Sequence, residues 1–139
     1  MTDQYNQHRE LARGRILVVE DDPNTSSMLV KYLAGEGYFV RAVNCGRDAL
    51  TVGERWLPNL ILLDMSLPDM HGLEVCVQLR ANEHTEQIPI VFLTQKSDSE
   101  VYIHGVKFGP ADDYILKPFD VEELKLRARK AIEGTLGLE

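Results

Sequence analysis

Several short apolar runs in this sequence end abruptly in a polar or charged residue. The run that most constrains the fold is Leu60–Leu63, which shows no polar–apolar alternation and is followed directly by Asp64. Such a run is typical of a strand that is covered on both faces of a parallel sheet. Asp64 is therefore expected at the carboxyl end of a strand, at the edge where open α/β sheets bind ligands. The following stretch, Ser66–Gly72, contains Pro, Asp and Gly and is typical of a turn.

The other predicted elements alternate along the chain. Further strands are predicted at Ile16–Val19, Tyr38–Val43, Ile88–Thr94 and Tyr114–Leu116. Helices are predicted from Pro23 to the glycines at 35 and 37, from Arg47 to Trp56 and from Leu73 to about Asn82. A less regular helix is predicted around Val101–Phe108. The last helix is predicted to begin at Asp120, whose side chain can cap it together with Glu123. Five strands alternating with five helices predict an α/β fold, with a doubly wound parallel sheet, right-handed crossovers and helices on both faces.

The length of 139 residues fits one domain with a core of its own. We expect a flexible N-terminal lead at 1–14, a folded domain at 15–133 and a C-terminal tail at 134–139. Neither Cys45 nor Cys76 has the spacing of a metal site or belongs to a disulfide framework, so reduced thiols are expected. No signal peptide or membrane-spanning run is apparent, and a cytoplasmic location is expected.

The charge balance bears on the partners. A net charge of −7 and a pI near 5.1 argue against direct contact with nucleic acid or an anionic membrane, because phosphate contacts require clustered Lys and Arg. The expected partners are therefore proteins.

All strands of a parallel sheet point the same way, so the residues at their carboxyl ends should meet at one edge. These residues are Glu20, Asp21, Asp64, Thr94 and Lys117. Converging carboxylates repel one another and favour a hard cation such as Mg²⁺, whereas an ammonium and a hydroxyl suit phosphoryl oxygens. A carboxylate can itself accept a phosphoryl group as an acyl phosphate. Taken singly, each acid could be a helix cap and the lysine an ordinary ion-pair partner; the five together indicate a site.

Four segments in this order resemble the receiver domain of bacterial two-component response regulators. They are ILVVEDDP, NLILLDMSLPDMHGLEV, PIVFLT and DDYILKPF, and the resemblance covers about 15–133. It implies the flavodoxin-like strand order 2-1-3-4-5. It also implies that Asp64 is the phosphoacceptor and that Mg²⁺ is bound by Glu20, Asp21, Asp64 and the backbone carbonyl of Ser66.

The same resemblance assigns the remaining site residues. Thr94 and Lys117 would contact the phosphoryl group, and Tyr114 would turn inward as Thr94 moves. A cis peptide between Lys117 and Pro118 would direct the ammonium into the site. The protein would be a regulator that assists its own phosphorylation and dephosphorylation rather than an enzyme.

The implied phosphoryl donor is a sensor histidine kinase or a phosphotransfer protein, and the output protein or domain is unknown. Many receivers form homodimers through helix four, strand five and helix five. Pro110, an apparent one-residue insertion, and Tyr102 depart from the family pattern on this face. Gln95 replaces a small residue beside Thr94, and His71 replaces a more common Asp.

Two alternatives remain open from the residues. The first is a Mg²⁺-dependent phosphohydrolase with an Asp nucleophile, as in haloacid-dehalogenase-like enzymes. Those enzymes use a second acid two residues after the nucleophile, where this chain has Ser66. The second is a receiver-like module that binds proteins without taking phosphate, which the presence of the five site residues disfavours.

Overall fold

The computed structural model describes residues 13–95 and 112–136, with side chains described to residue 134. The elements in chain order are β1 (Arg15–Val19), α1 (Pro23–Gly35), β2 (Phe39–Val43), α2 (Gly46–Trp56), β3 (Leu60–Asp64), α3 (Gly72–Ala81), β4 (Ile90–Thr94), β5 (Asp113–Leu116) and α4 (Val121–Leu136). The helix predicted around Val101–Phe108, together with Tyr102 and Pro110, lies outside the described residues.

The five strands form one parallel sheet in the order β2-β1-β3-β4-β5, which confirms the predicted fold class and strand order. Every residue of β3 and of β4 is buried, as their unalternated apolar sequences predict. The outermost strand β2 has no fully buried residue. The centre of the sheet, where β1, β3 and β4 end, is therefore the best shielded part of the fold.

Two apolar layers cover the sheet. On one face, alternate strand residues such as Ile16 and Leu62 pack against α1 and α4. The buried residues of α4 are Leu124, Ala128 and Ile132. On the other face, Leu17 and Ile61 belong to the layer that α2 and α3 complete. Because each strand contributes to both layers, helices flank the sheet on both sides and leave its carboxyl edge accessible.

The opposite edge of the sheet carries the single tryptophan. Trp56 is the last residue of α2, and the guanidinium groups of Arg15 and Arg41 lie 5.7 and 5.3 Å from its ring centroid. Contacts of this kind are cation–π interactions. Arg41 is the middle residue of the edge strand β2.

Within the described part of the chain, no helix is long and apolar enough to cross a membrane.

Candidate functional site

Three carboxylates converge at the carboxyl edge of the central strands. Glu20 directly follows β1, Asp64 ends the neighbouring strand β3, and Asp21 is next to Glu20. One carboxylate oxygen from each residue lies within 4.8 Å of the others. Glu20 is only 2% exposed and Asp64 only 7%, whereas Asp21 is exposed to solvent. The strand ends predicted from the sequence therefore do meet, and they form an all-oxygen donor set that suits a hard divalent cation.

Lys117 places its ammonium between two of the acids. Its Nζ donates a hydrogen bond of 2.7 Å to Glu20 Oε1 and lies 3.3 Å from Asp64 Oδ1. Its backbone N–H donates to the carbonyl oxygen of Thr94 at 2.8 Å, which ties the end of β5 to the end of β4. The Lys117–Pro118 peptide bond is cis, as the resemblance predicts.

Burial and charge act in opposite directions on the two paired groups. Burial raises the pKa of the Glu20 carboxyl, the neighbouring Asp64 raises it further, and the hydrogen bond from Lys117 only partly offsets these effects. Burial lowers the pKa of the Lys117 ammonium, but the hydrogen bond to Glu20 and the charge of Asp64 outweigh it, so this pKa lies above its ordinary value. Lys117 is therefore a cation at neutral pH, opposed by more carboxylates than it can neutralise.

The third acid of the triplet after β1 has a different task. Asp22 is the N-cap of α1, and its Oδ2 accepts hydrogen bonds from the backbone N–H of Thr25 at 3.1 Å and from its hydroxyl at 2.5 Å. These bonds hold the pKa of Asp22 below its ordinary value. Of the three consecutive acids, Asp22 therefore begins the helix, while Glu20 and Asp21 belong to the carboxylate cluster.

The backbone after Asp64 turns back tightly. The N–H of Ser66 lies 3.4 Å from Asp64 Oδ1, and the N–H of Gly72 donates to the carbonyl oxygen of Met65 at 2.7 Å. A Cβ at Gly72 would lie 2.3 Å from the carbonyl oxygen of Asp64, so only glycine fits there. Ser66 is thereby held beside the Asp64 carboxylate, where its carbonyl was predicted to act.

Two residues of this turn make structural contacts that were not predicted from the sequence. Asp69 accepts hydrogen bonds from the backbone N–H groups of Gly46 and Arg47, at the start of α2. His71 caps α3, with its Nδ1 accepting from the N–H of Leu73 at 3.1 Å. For the contact of Asp69 with α2, the signal in the sequence was weak. The residue before α2 is Cys45, a poor capping residue, so the cap of this helix had to be sought elsewhere in the chain.

Thr94 and Tyr114 lie near the same edge. Thr94 follows Leu93, which is the register partner of Asp64, and its buried hydroxyl donates to the carbonyl oxygen of Gln95 at 3.1 Å. Tyr114, paired with Phe92 in the register of β4 and β5, is half-buried against the layer of α2 and α3. Gln95 itself is exposed.

A cavity of about 440 Å³ opens beside the carboxylates. Glu20 and Asp21 form part of its wall, together with Ser26 of α1, Asn44 after β2 and Asp48 of α2. Two of the three clustered carboxylates, those of Glu20 and Asp21, are therefore adjacent to this cavity.

Comparison with known proteins identifies the family. The pattern described as "Response regulator receiver domain" matches residues 16–129. The chain is 45% identical over 117 residues to the DNA-binding response regulator MtrA of Mycolicibacterium smegmatis. The aligned residues cover 84% of this chain and 50% of that protein. The chain thus spans about half the length of the curated relatives it matches.

Solved structures agree with this relationship. A putative response regulator from Chloroflexus aurantiacus is 34% identical with a TM-score of 0.79, covering 86% of this chain and 97% of that one. The receiver domain of the sensor histidine kinase PA1611 from Pseudomonas aeruginosa PAO1, solved with a magnesium ion coordinated in its active site cleft, is 30% identical with a TM-score of 0.75, again covering 86% and 97%. The chain therefore belongs to the receiver-domain family of two-component response regulators.

Proposed function

We propose that Asp64 accepts a phosphoryl group from the phosphohistidine of a sensor histidine kinase or a phosphotransfer protein. The observation that carries this proposal is the convergence of the Glu20, Asp21 and Asp64 carboxylates, together with the Lys117 ammonium that lies against Glu20 and Asp64. An oxygen of the Asp64 carboxylate attacks phosphorus and the phosphorus–nitrogen bond breaks. Its electron pair remains on the histidine nitrogen, which takes up a proton, and the product is an acyl phosphate on Asp64.

Mg²⁺ fits the carboxylate oxygens that Glu20, Asp21 and Asp64 bring together. Glu20, Asp21, Asp64 and the carbonyl of Ser66 would hold the ion. When bound, the ion neutralises the negative charge of the carboxylates and of the incoming phosphoryl oxygens. Asp21 is the exposed member of the cluster, and it lines the cavity together with Glu20.

Lys117 and Thr94 supply hydrogen-bond donors for the phosphoryl oxygens. The Lys117 ammonium already lies 3.3 Å from Asp64 Oδ1, so a phosphoryl group on this carboxylate is within its reach. The Thr94 hydroxyl donates to the carbonyl of Gln95 in this structure and would turn toward the phosphoryl group once it is present. The movement of Thr94 would leave room for Tyr114, so that phosphate and the inward tyrosine ring stabilise the same conformer.

The chemistry of the site favours a regulator over a phosphohydrolase. The alternative enzyme would need a carboxyl group two residues after Asp64 to protonate a leaving group. That position is held by the exposed Ser66, whose hydroxyl is not acidic enough for this role at neutral pH. We therefore propose that the chain assists its own phosphorylation and dephosphorylation and acts through changed protein contacts.

The partners follow from the same proposal. The donor is a sensor histidine kinase or phosphotransfer protein, the output is a protein or domain of unknown identity, and the domain that responds spans 15–133. We also propose a homodimer that forms through β5, α4 and the helix predicted before β5. On the described part of this face, Arg127 Nη1 lies 2.7 and 2.6 Å from the two carboxylate oxygens of Asp113. That this chain makes no direct contact with nucleic acid or membrane stays a prediction. A cytoplasmic location is also proposed, in keeping with the unpaired thiols of Cys45 and Cys76.

The proposal is tested with a small phosphodonor. We expect acetyl phosphate with Mg²⁺ to add one phosphoryl group to the protein, measured by intact mass, and chelation of Mg²⁺ to prevent it. Asp64→Asn should take up none. Asp22→Asn is the matched control, because it removes a nearby carboxylate that caps α1 and should leave phosphorylation intact. Equal labelling of Asp64→Asn and the wild-type protein would refute the assignment of Asp64.

The coupling of phosphate to protein contacts has a separate test. Thr94→Ala should still accept phosphate but should lose most of the change in amide exchange that a beryllofluoride phosphate mimic causes in β5 and α4. The reason is that the hydroxyl is the group that is drawn toward the phosphoryl oxygens. A full response in Thr94→Ala would show that Thr94 does not link the site to that face.

A further inference from the structure

The turn between β3 and α3 is fastened to a helix that precedes it in the sequence. We call residues 66–71 the β3–α3 loop. Asp69 Oδ1 accepts a hydrogen bond of 2.7 Å from the N–H of Gly46, and Oδ2 accepts one of 2.9 Å from the N–H of Arg47. These amides belong to the first turn of α2, where helical N–H groups have no partner within the helix. The N-cap residue Cys45 makes no side-chain capping bond, so Asp69 caps α2 from 23 residues away.

Close packing reinforces this link. A Cβ at Gly46 would lie 2.4 Å from Met70 Cγ and 2.8 Å from its Sδ, so the absence of a side chain there allows Met70 to pack onto the start of α2. The hydrogen bonds from Arg47 and Gly46 hold the pKa of the Asp69 carboxyl below its ordinary value. At neutral pH the cap is therefore an ionised carboxylate, which is the form that accepts two hydrogen bonds and interacts favourably with the helix dipole.

The other end of the loop is attached to the site itself. Ser66 forms an isolated antiparallel bridge with His71, and its N–H lies 3.4 Å from Asp64 Oδ1. The loop is thus closed on itself at its base and fastened to α2 at Asp69. Both attachments therefore lie on the loop that carries Ser66, two residues after Asp64.

We propose that Asp69 is a positioning residue for the Mg²⁺ site: by capping α2 it holds the β3–α3 loop so that the Ser66 carbonyl and the Asp64 carboxylate face the same ion. This inference rests on the proposed function of the cluster. Groups that orient metal ligands without touching the ion commonly change metal affinity by about 10- to 100-fold when they are removed. Asp69 contacts no proposed ligand directly, so the lower part of that range is expected.

The experiment measures Mg²⁺ binding by calorimetry on the folded protein. We expect Asp69→Ala to weaken Mg²⁺ binding about tenfold and Asp69→Asn, which keeps one acceptor oxygen, to weaken it less. In phosphorylation by acetyl phosphate, the half-saturating Mg²⁺ concentration should rise by the same factor while the rate at saturating Mg²⁺ stays near the wild-type rate. A loss of stability alone would move neither quantity at a temperature where the variants are folded.

The matched control is Glu74→Gln, which removes an exposed carboxylate from the first turn of α3 and leaves the cap of α2 intact. It should bind Mg²⁺ as the wild-type protein does. If folded Asp69→Ala binds Mg²⁺ as tightly as the wild-type protein, the inference is overturned and the proposed function still stands. The inference is also overturned if Glu74→Gln weakens Mg²⁺ binding as much as Asp69→Ala does, because that result would indicate a general effect of charge. Failure of the wild-type protein to bind Mg²⁺ would refute the proposed function itself. If Asp69→Ala does not fold, Asp69→Asn decides between these outcomes.

Discussion

Replacement of Lys117 by methionine tests the electrostatic balance of the site. Methionine is apolar and similar in length, so Lys117→Met removes the ammonium with little change in side-chain volume. In the wild-type protein this ammonium lies 2.7 Å from Glu20 Oε1 and 3.3 Å from Asp64 Oδ1. The side chains of Lys117, Glu20 and Asp64 are 21%, 1% and 9% exposed. The variant therefore leaves two buried carboxylates facing each other without a cation.

The size of the effect follows from this burial. Removal of one partner of a buried ion pair costs about 3–5 kcal/mol, and the partial exposure of Lys117 places this case at the lower end, at about 3 kcal/mol. For a domain of this size, 1 kcal/mol corresponds to roughly 3 °C in the unfolding temperature. Without Mg²⁺, we expect Lys117→Met to unfold about 10 °C below the wild-type protein. Added Mg²⁺ should restore part of the loss, because bound ligand stabilises the folded state.

The assay is urea unfolding in the presence of a chelator. Glu20→Gln is made both in the wild-type protein and in Lys117→Met. We expect Glu20→Gln to lower the free energy of unfolding of the wild-type protein but to leave it unchanged or raised in Lys117→Met, because a buried carboxylate without a partner is then removed. The reasoning is refuted if Lys117→Met unfolds within about 0.5 kcal/mol of the wild-type protein, the range of ordinary surface substitutions. Equal effects of Glu20→Gln in both backgrounds would refute it as well.

Three further outcomes follow from the described contacts. Asp22→Asn should lower the free energy of unfolding at neutral pH. The difference should begin to shrink as the pH falls below the ordinary Asp pKa of 3.8 and should vanish below the depressed folded-state pKa of Asp22; urea unfolding against pH measures this. Burial raises the pKa of the Cys76 thiol to about 11, so mass spectrometry should show a thiol reagent modifying Cys45 first and Cys76 only on unfolding. The fluorescence of Trp56 should change little on addition of Mg²⁺, and strong quenching would contradict its position at the opposite edge of the sheet.

Much of the fold was predictable because burial on both faces leaves a simple trace in the sequence. The strands β3 and β4 are buried at every residue, and their apolar runs carry no competing helical period. The convergence of Glu20, Asp64 and Lys117 followed from the shared direction of parallel strands. In both cases a local pattern was sufficient once the sheet was known to be parallel.

The remaining features depend on tertiary packing that no local pattern records. The cap of α2 comes from Asp69, far along the chain, and the turn composition around it was compatible with a solvent-exposed loop. The N-terminus of α4 shows the converse: Asp120 accepts from the N–H of Glu122 at 2.8 Å, so its predicted capping role was found from adjacent residues alone.

The outer strand β2 ends the sheet on one side, and its sequence bears on self-association. An edge strand offers unpaired backbone groups to which a strand of another molecule can add. The five residues of β2 are Phe-Val-Arg-Ala-Val, with Arg41 as their only charge. A charged residue within an otherwise apolar edge strand opposes the addition of a further strand, and Arg41 supplies that charge at the middle of β2.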